Sequence, residues 1–178
     1  MKLSPFKKSD KNEIKNLFIN VFTESENQSE GKLIGELASN LMSSTSSQDL
    51  FAYVAIEDKQ IIGCIFFSRL LFDTPIDAFI LSPVAIHTKY QGQGIGQKLI
   101  NFGIEQLKQT GVKLIFTYGD PNFYSKVGFI GIIEEIAKAP FKLSQPEGWL
   151  CQSLDGSEIK PLAGTARCVE ALSNPELW

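Results

Sequence analysis

The chain has 178 residues, of which 43% are hydrophobic and 21% charged, and it carries a formal net charge of -3. That length and composition fit one globular domain with its own core and exclude a disordered chain. The acidic balance, with a pI near 5.3, excludes a broad nucleic-acid surface, which needs a basic excess or a dense Lys/Arg run.

The opening stretch, Met1 to Glu13, has no apolar run behind its lysines, so no secretory signal is expected there. Asp10 followed by Glu13 predicts a helix start, a side-chain acceptor with a carboxylate three residues on. Ile14, Leu17, Phe18, Val21 and Phe22 then recur at helical spacing and form one apolar face. A polar joint, Thr23 to Glu30, leads to a second helix striped by Leu33, Ile34, Leu37, Leu41 and Met42. The run Ser43 to Ser47 reads as a loop.

Leu50 to Ile56 and Ile61 to Leu70 predict two strands, paired as a hairpin across the polar turn Glu57 to Gln60. A third strand lies within Ile76 to Ile86, broken or bent at Pro83, because proline removes a ladder donor. After Gln91-Gly92-Gln93-Gly94-Ile95-Gly96 a helix runs to about Thr110, with Ile95, Leu99, Ile100, Gly103, Ile104 and Leu107 inward and Gly111 as its C-terminal cap. Leu114 to Tyr118 predicts a short apolar strand, Gly119-Asp120-Pro121 a turn, and Asn122 to Val127 about two helical turns before Gly128-Phe129. Gly148 to Leu154 and Thr165 to Val169 predict late strands. The order α-α-β-β-β-α-β-α-β-β indicates an α/β fold, a mixed sheet flanked by helices.

The cysteines, Cys64, Cys151 and Cys168, are odd in number and far apart, and His87 is the only histidine. No metal site or disulfide framework is expected, and a reducing compartment fits best. The longest apolar stretches are short and interrupted, so no membrane span is expected.

The strand, glycine loop and helix across Val84 to Leu107 carry the chemistry. Glycines let a backbone approach a ligand, and the helix start adds unpaired N–H groups and a partial positive charge. Together they suit a phosphate. The run is not a P-loop, because no Gly-Lys-Ser or Gly-Lys-Thr follows. It is not the dinucleotide fingerprint either, because Gln97 stands where the third glycine belongs. Spacing alone also leaves open a glycine turn that binds nothing.

Gln91-Gly92-Gln93-Gly94-Ile95-Gly96 resembles the Q/R-x-x-G-x-G/A signature of the GNAT superfamily of acyl-CoA-dependent N-acyltransferases. Asn122 to Phe129 resembles that family's later block, a tyrosine four residues before a Gly-Phe pair, and Gly119 to Tyr124 resembles a bacterial subgroup with Gly-Asp-Pro-x-x-Tyr. The resemblance implies a GNAT fold, with residues 1–178 as a single N-acetyltransferase domain. It implies acetyl-CoA as co-substrate, its pyrophosphate on the loop from Gln91 and Gly92 through Gln93, Gly94, Ile95 and Gly96 to Gln97. It also implies that the pantetheine arm pairs with backbone at Val84, Ala85 and Ile86. Gln91 in place of the commoner arginine brings hydrogen bonds without charge.

By the same resemblance Tyr124 is the proton donor to the leaving thiolate, with Tyr118 a weaker candidate. Asn122 either orients the cofactor arm or caps the helix after Pro121. Glu24, Glu26 and Glu30 border the region where the family places its acceptor, and His87 reads as a turn residue. The implied function is direct transfer of acetyl to a primary amine of a small molecule, protein or peptide, in the cytoplasm, without nucleic acid or membrane; a homodimer stays open. Two rivals stand beside it. One is a coenzyme A-binding sensor without turnover, the other a nucleotide-binding domain using the same loop.

Overall fold

The computed structural model describes all residues, Met1–Trp178. In chain order the elements are β1 (Lys2–Pro5), α1 (Lys11–Ser25), α2 (Gln28–Ser44), β2 (Leu50–Glu57), β3 (Gln60–Leu71) and β4 (Ala78–Ile86). They continue as α3 (Ile95–Gln109), β5 (Leu114–Tyr118), α4 (Pro121–Tyr124), β6 (Ile130–Gly131), β7 (Trp149–Ser153) and β8 (Arg167–Cys168). The chain divides into two compact units, Met1–Phe66 with Pro83–Gly103 and Phe67–Ser82 with Ile104–Trp178. Strands run in the order β1-β2-β3-β4 in the first unit and β3-β4-β5-β7-β6 in the second, where β8 pairs with β3.

In the first unit α1 buries Ile14, Leu17, Phe18 and Val21, the face that the sequence spacing predicts. Phe18 packs on Phe66 of β3 with ring centroids 5.7 Å apart. The polar joint is shorter than expected. Thr23 to Ser25 close α1, Gln28 to Glu30 open α2, and Asn27 caps α2 by accepting from the Glu30 N–H at 2.9 Å.

The Asp10–Glu13 capping pair does not form. Asp10 Oδ2 accepts from the Lys7 N–H at 2.8 Å, and Glu13 Oε1 accepts from the Ile61 N–H of β3 at 2.7 Å. A tertiary partner has taken the carboxylate that a local cap would use. Strand β1, unanticipated, pairs antiparallel with β2 from Lys2↔Ile56 to Pro5↔Tyr53. It closes on a proline, which an edge strand tolerates.

The β2–β3 turn is tight. Asp58 and Lys59 take φ of 47° and 65°, the left-handed pair that matches the twist of a two-residue hairpin. β4 runs unbroken through Pro83. Pro83 lies two residues past Leu81, whose register partner Thr117 is the last of the parallel ladder to β5.

In the second unit β5 is central. It pairs parallel with β4 and antiparallel with β7, from Leu114↔Ser153 to Tyr118↔Trp149. Phe116 stacks on the fully buried Trp149 at 5.1 Å, and the Trp149 indole donates to the Ala137 carbonyl at 2.8 Å. The late strands fall where the sequence puts them; β6, only two residues long, was not foreseen.

The helix pair of the first unit meets through glycines. A methyl on Gly31 would fall on the Thr23 hydroxyl and 2.6 Å from the Ile19 carbonyl oxygen, and one on Gly35 would collide with the Ile19 side chain. Gly31→Ala gains up to about 1 kcal/mol of helix propensity. The collision with backbone reverses that sign, at about 1–3 kcal/mol for overpacking. Gly31→Ala is expected to lower the urea midpoint at unchanged slope.

Candidate functional site

In the first unit β4 ends at Ile86, and the His87 N–H donates to the Ile62 carbonyl at 2.8 Å, holding the exit on β3. His87 then makes a turn: its Nδ1 accepts from the Lys89 N–H at 3.2 Å, as expected of a turn residue. The Gln91 side-chain amide donates to the Ile86 carbonyl at 2.9 Å, and that of Gln93 donates to the Lys89 carbonyl at 3.1 Å. Both glutamine side chains thus brace the loop from within, and the loop's backbone is left to meet a ligand.

Gly92 and Gly94 have φ of +73° and +75°, a conformation that L side chains rarely adopt. A Cβ at either position would have nothing within 4 Å. The bare side of the loop is therefore open. In α3 the Lys98 N–H bonds the Gly94 carbonyl at 3.1 Å. The amides of Ile95, Gly96 and Gln97 stand ahead of that bond, at the positive end of the helix. An open glycine backbone before a set of first-turn amides suits a pyrophosphate. Lys89 and Lys98 are exposed.

The second unit holds the tyrosine block, and its geometry explains the spacing. Asp120 Oδ1 accepts from the Asn122 N–H at 2.9 Å and caps α4, with Pro121 in its first turn. The cap is therefore Asp120, and Asn122 lies inside the helix, exposed. Gly119 has no side chain because the Tyr124 ring lies over it; a Cβ there would sit 2.7 Å from Tyr124 Cε2. Gly128, at φ +93°, turns the chain so that Phe129 meets Tyr124 edge-on at 5.7 Å.

Burial pushes the Tyr124 phenol above its usual value of 10.0; the neighbouring Thr117 hydroxyl draws it partly back, and the Asp120 charge raises it further. Tyr124 therefore keeps its proton well into alkaline pH. Thr117 is fully buried, and its Oγ1 donates to the Leu81 carbonyl at 2.9 Å. Sequence reading missed Thr117; its signal was a single polar residue inside an apolar strand.

The weaker donor candidate is engaged elsewhere. The Tyr118 hydroxyl accepts from the Gln145 N–H at 2.7 Å and bonds Ser144 Oγ at 2.9 Å. Trp149 is core, and Phe141 packs tilted on Trp178 at 6.2 Å. Cys64 and Cys151 are free, buried thiols; burial pushes Cys151 up to about 12 and Cys64 well above 9.0. No group of three or more His, Cys, Asp or Glu side chains assembles to hold a metal ion. No helix is long and apolar enough to cross a membrane.

Residues 48–130 match the family model described as an acetyltransferase (GNAT) domain. The fold of the chain is the GNAT fold. It is similar to the crystal structure of the GNAT family N-acetyltransferase YhbS from Escherichia coli in complex with CoA, at TM-score 0.79 and 22% identity over 97% of this chain and 92% of that one. It is also similar to a GNAT family acetyltransferase from Brucella melitensis in complex with acetyl-CoA, at TM-score 0.74 and 26% identity over 97% of each. In sequence it is 29% identical over 135 residues to the uncharacterized N-acetyltransferase YjhQ of Escherichia coli K12, covering 72% of this chain and 74% of that protein.

The glycine loop offers a direct test of ligand binding. Gly94→Val forces a branched side chain into a left-handed position, at about 1–3 kcal/mol of strain, and fills the open side of the loop. The variant is expected to fold. Wild type with coenzyme A at a hundred times its dissociation constant should gain about 2.7 kcal/mol, roughly 5–10 °C of melting temperature at this size. Gly94→Val should lose that shift in a thermal melt.

Proposed function

We propose that residues 1–178 act as one N-acetyltransferase domain that moves acetyl from acetyl-CoA directly to a primary amine. The domain belongs with the Gly-Asp-Pro-x-x-Tyr subgroup and works in the cytoplasm. The observation that carries the reading is the open glycine loop running into the first-turn amides of α3, on a strand that outlasts its ladder to β5. Support also comes from the GNAT domain match and from related structures that hold CoA or acetyl-CoA.

In this reading the amides of Gln93 to Gln97 bind the pyrophosphate, and Val84 to Ile86 offer backbone to the pantetheine arm. A neutral amine attacks the thioester carbonyl; the N–C bond forms and the C–S bond breaks. A strand-end N–H near Val84 to Ile86 stabilises the oxyanion. The leaving sulfur takes the Tyr124 proton, the ammonium proton leaves to solvent, and Tyr124 is reprotonated from solvent. Asn122 lies exposed two residues before Tyr124 on the same helix, and we assign it a contact to the cofactor arm.

Tyr124→Phe removes one oxygen and leaves the packing on Gly119 and Phe129. Turnover should fall about 10²–10⁴-fold, the usual worth of general acid help, with acetyl-CoA affinity unchanged by calorimetry. The wild-type rate should rise with pH as the amine loses its proton. It should fall only above pH 10.0, because burial raises the Tyr124 pKa. A pH–rate profile with a single amine reads both limbs.

The acceptor is a cationic amine. The net charge is -3, and Glu24 and Glu26 stand exposed at the joint between α1 and α2. Exposed charges act over about 8–10 Å at moderate salt, so the attraction should weaken as salt rises. A turnover screen of polyamines, amino sugars, amino acids and peptides should rank cations first. Alanine at Glu24 and Glu26 should raise KM for the best hit without lowering kcat. An anionic best acceptor would refute the charge argument.

A further inference from the structure

We propose that Gln91 is a positioning residue for the acyl donor: by taking the Ile86 carbonyl, its side-chain amide closes the open edge of β4 and stops the cofactor arm in one register along that edge. The proposal rests on the reading that the arm of acetyl-CoA pairs with backbone at Val84 to Ile86. The His87 N–H donates to the Ile62 carbonyl of β3 at 2.8 Å. A strand residue turns its N–H and C=O to one side, and its neighbours turn theirs to the other. His87 faces β3, so Ile86 and Val84 face away from it. Gly63 agrees with that register. A Cβ there would stand 2.6 Å from Ile86 Cδ1, which puts Gly63 and Ile86 opposite each other.

The edge facing away from β3 has no ladder past Leu81. It offers, in order, the Val84 N–H, the Val84 C=O, the Ile86 N–H and the Ile86 C=O. Gln91 Nε2 donates to the last of these at 2.9 Å. A donor, an acceptor and a donor remain for a ligand. The arm of coenzyme A carries two amides, and an extended chain pairs with such an edge in steps of two residues, about 6.5 Å. A bare Ile86 carbonyl would give the arm a second seat one step along, and the Gln91 amide fills that seat. The loop holds the side chain in place: the Gln91 N–H donates to the Thr88 carbonyl at 3.3 Å, and His87 Nδ1 accepts from the Lys89 N–H at 3.2 Å. An arm slipped by one step would stay bound with its thioester displaced from the attacking amine.

The test compares Gln91→Met, which keeps the length and removes the donor, with Gln91→Arg, which restores a donor. His87 is the only histidine. Carbonyl-labelled isoleucine together with nitrogen-labelled histidine therefore marks one peptide, Ile86–His87, and gives one magnetic resonance signal. Its carbonyl shift should move in Gln91→Met. Kinetics with one working amine read the register. A second, unproductive seat ties up enzyme without altering the productive path. In Gln91→Met, kcat and KM for acetyl-CoA should therefore fall together, about 2- to 10-fold, the worth of one hydrogen bond, with kcat/KM unchanged. Infrared spectra of carbonyl-labelled acetyl-CoA on the enzyme should show one thioester band in wild type and in Gln91→Arg, and two in Gln91→Met.

A carbonyl signal that stays put in Gln91→Met overturns the brace. Unchanged kinetics with one infrared band overturn the register stop. So does a fall in kcat/KM with one band, since Gln91 then acts only through the fold of the loop. A wild-type thioester band at the position of free acetyl-CoA overturns Val84 to Ile86 as the pairing edge, and the proposal with it.

Discussion

Backbone polar groups that a ladder does not pair must find other partners. The parallel ladder between β4 and β5 ends at Leu81 and Thr117. There the Thr117 hydroxyl donates to the Leu81 carbonyl. The glutamine at position 91 ties the loop to the far end of β4 through the Ile86 carbonyl. Two side chains thus serve backbone carbonyls of one strand.

The tyrosine block shows how a short motif follows from packing. Gly119 makes room for a ring, Asp120 starts the helix, Pro121 sits where its missing N–H is harmless, and Gly128 reverses the chain so that Phe129 can close on Tyr124. The motif is a recipe for fixing one half-buried phenol, and it needs residues from only about ten positions of sequence. The glycine loop works the same way: the left-handed turns, the brace and the helix start are all local.

Local features were legible for that reason. The α1 and α2 faces, the β5 strand, the α3 inner face and both motifs could be read from spacing, because their causes lie within one or two turns of chain. What could not be read has distant causes. Glu13 gave up a local cap for the amide of Ile61, 48 residues away. The Thr117 hydroxyl finds Leu81, 36 residues back. Strands β1 and β6 are short and owe their conformation to the partner strand, not to their own residues. The closeness of α1 and α2 shows in sequence only as two glycines, Gly31 and Gly35, whose role depends on what faces them.

Neighbouring residues at the end of β5 have opposite duties. Thr117 serves the Leu81 carbonyl, while Tyr118 reaches Ser144 and Gln145 and stacks on Trp178 at 6.3 Å. Alternation is what separates them, and alternation is intolerant of slippage: displacing the strand by a single residue would exchange the two side chains between faces. The bond to the Leu81 carbonyl and the docking of the C-terminal Trp178 therefore share one register. Insertions and deletions can accumulate in the long connections around 132–148 and 154–166, but not within Leu114–Tyr118, where one added residue would disable both sides of the strand at once.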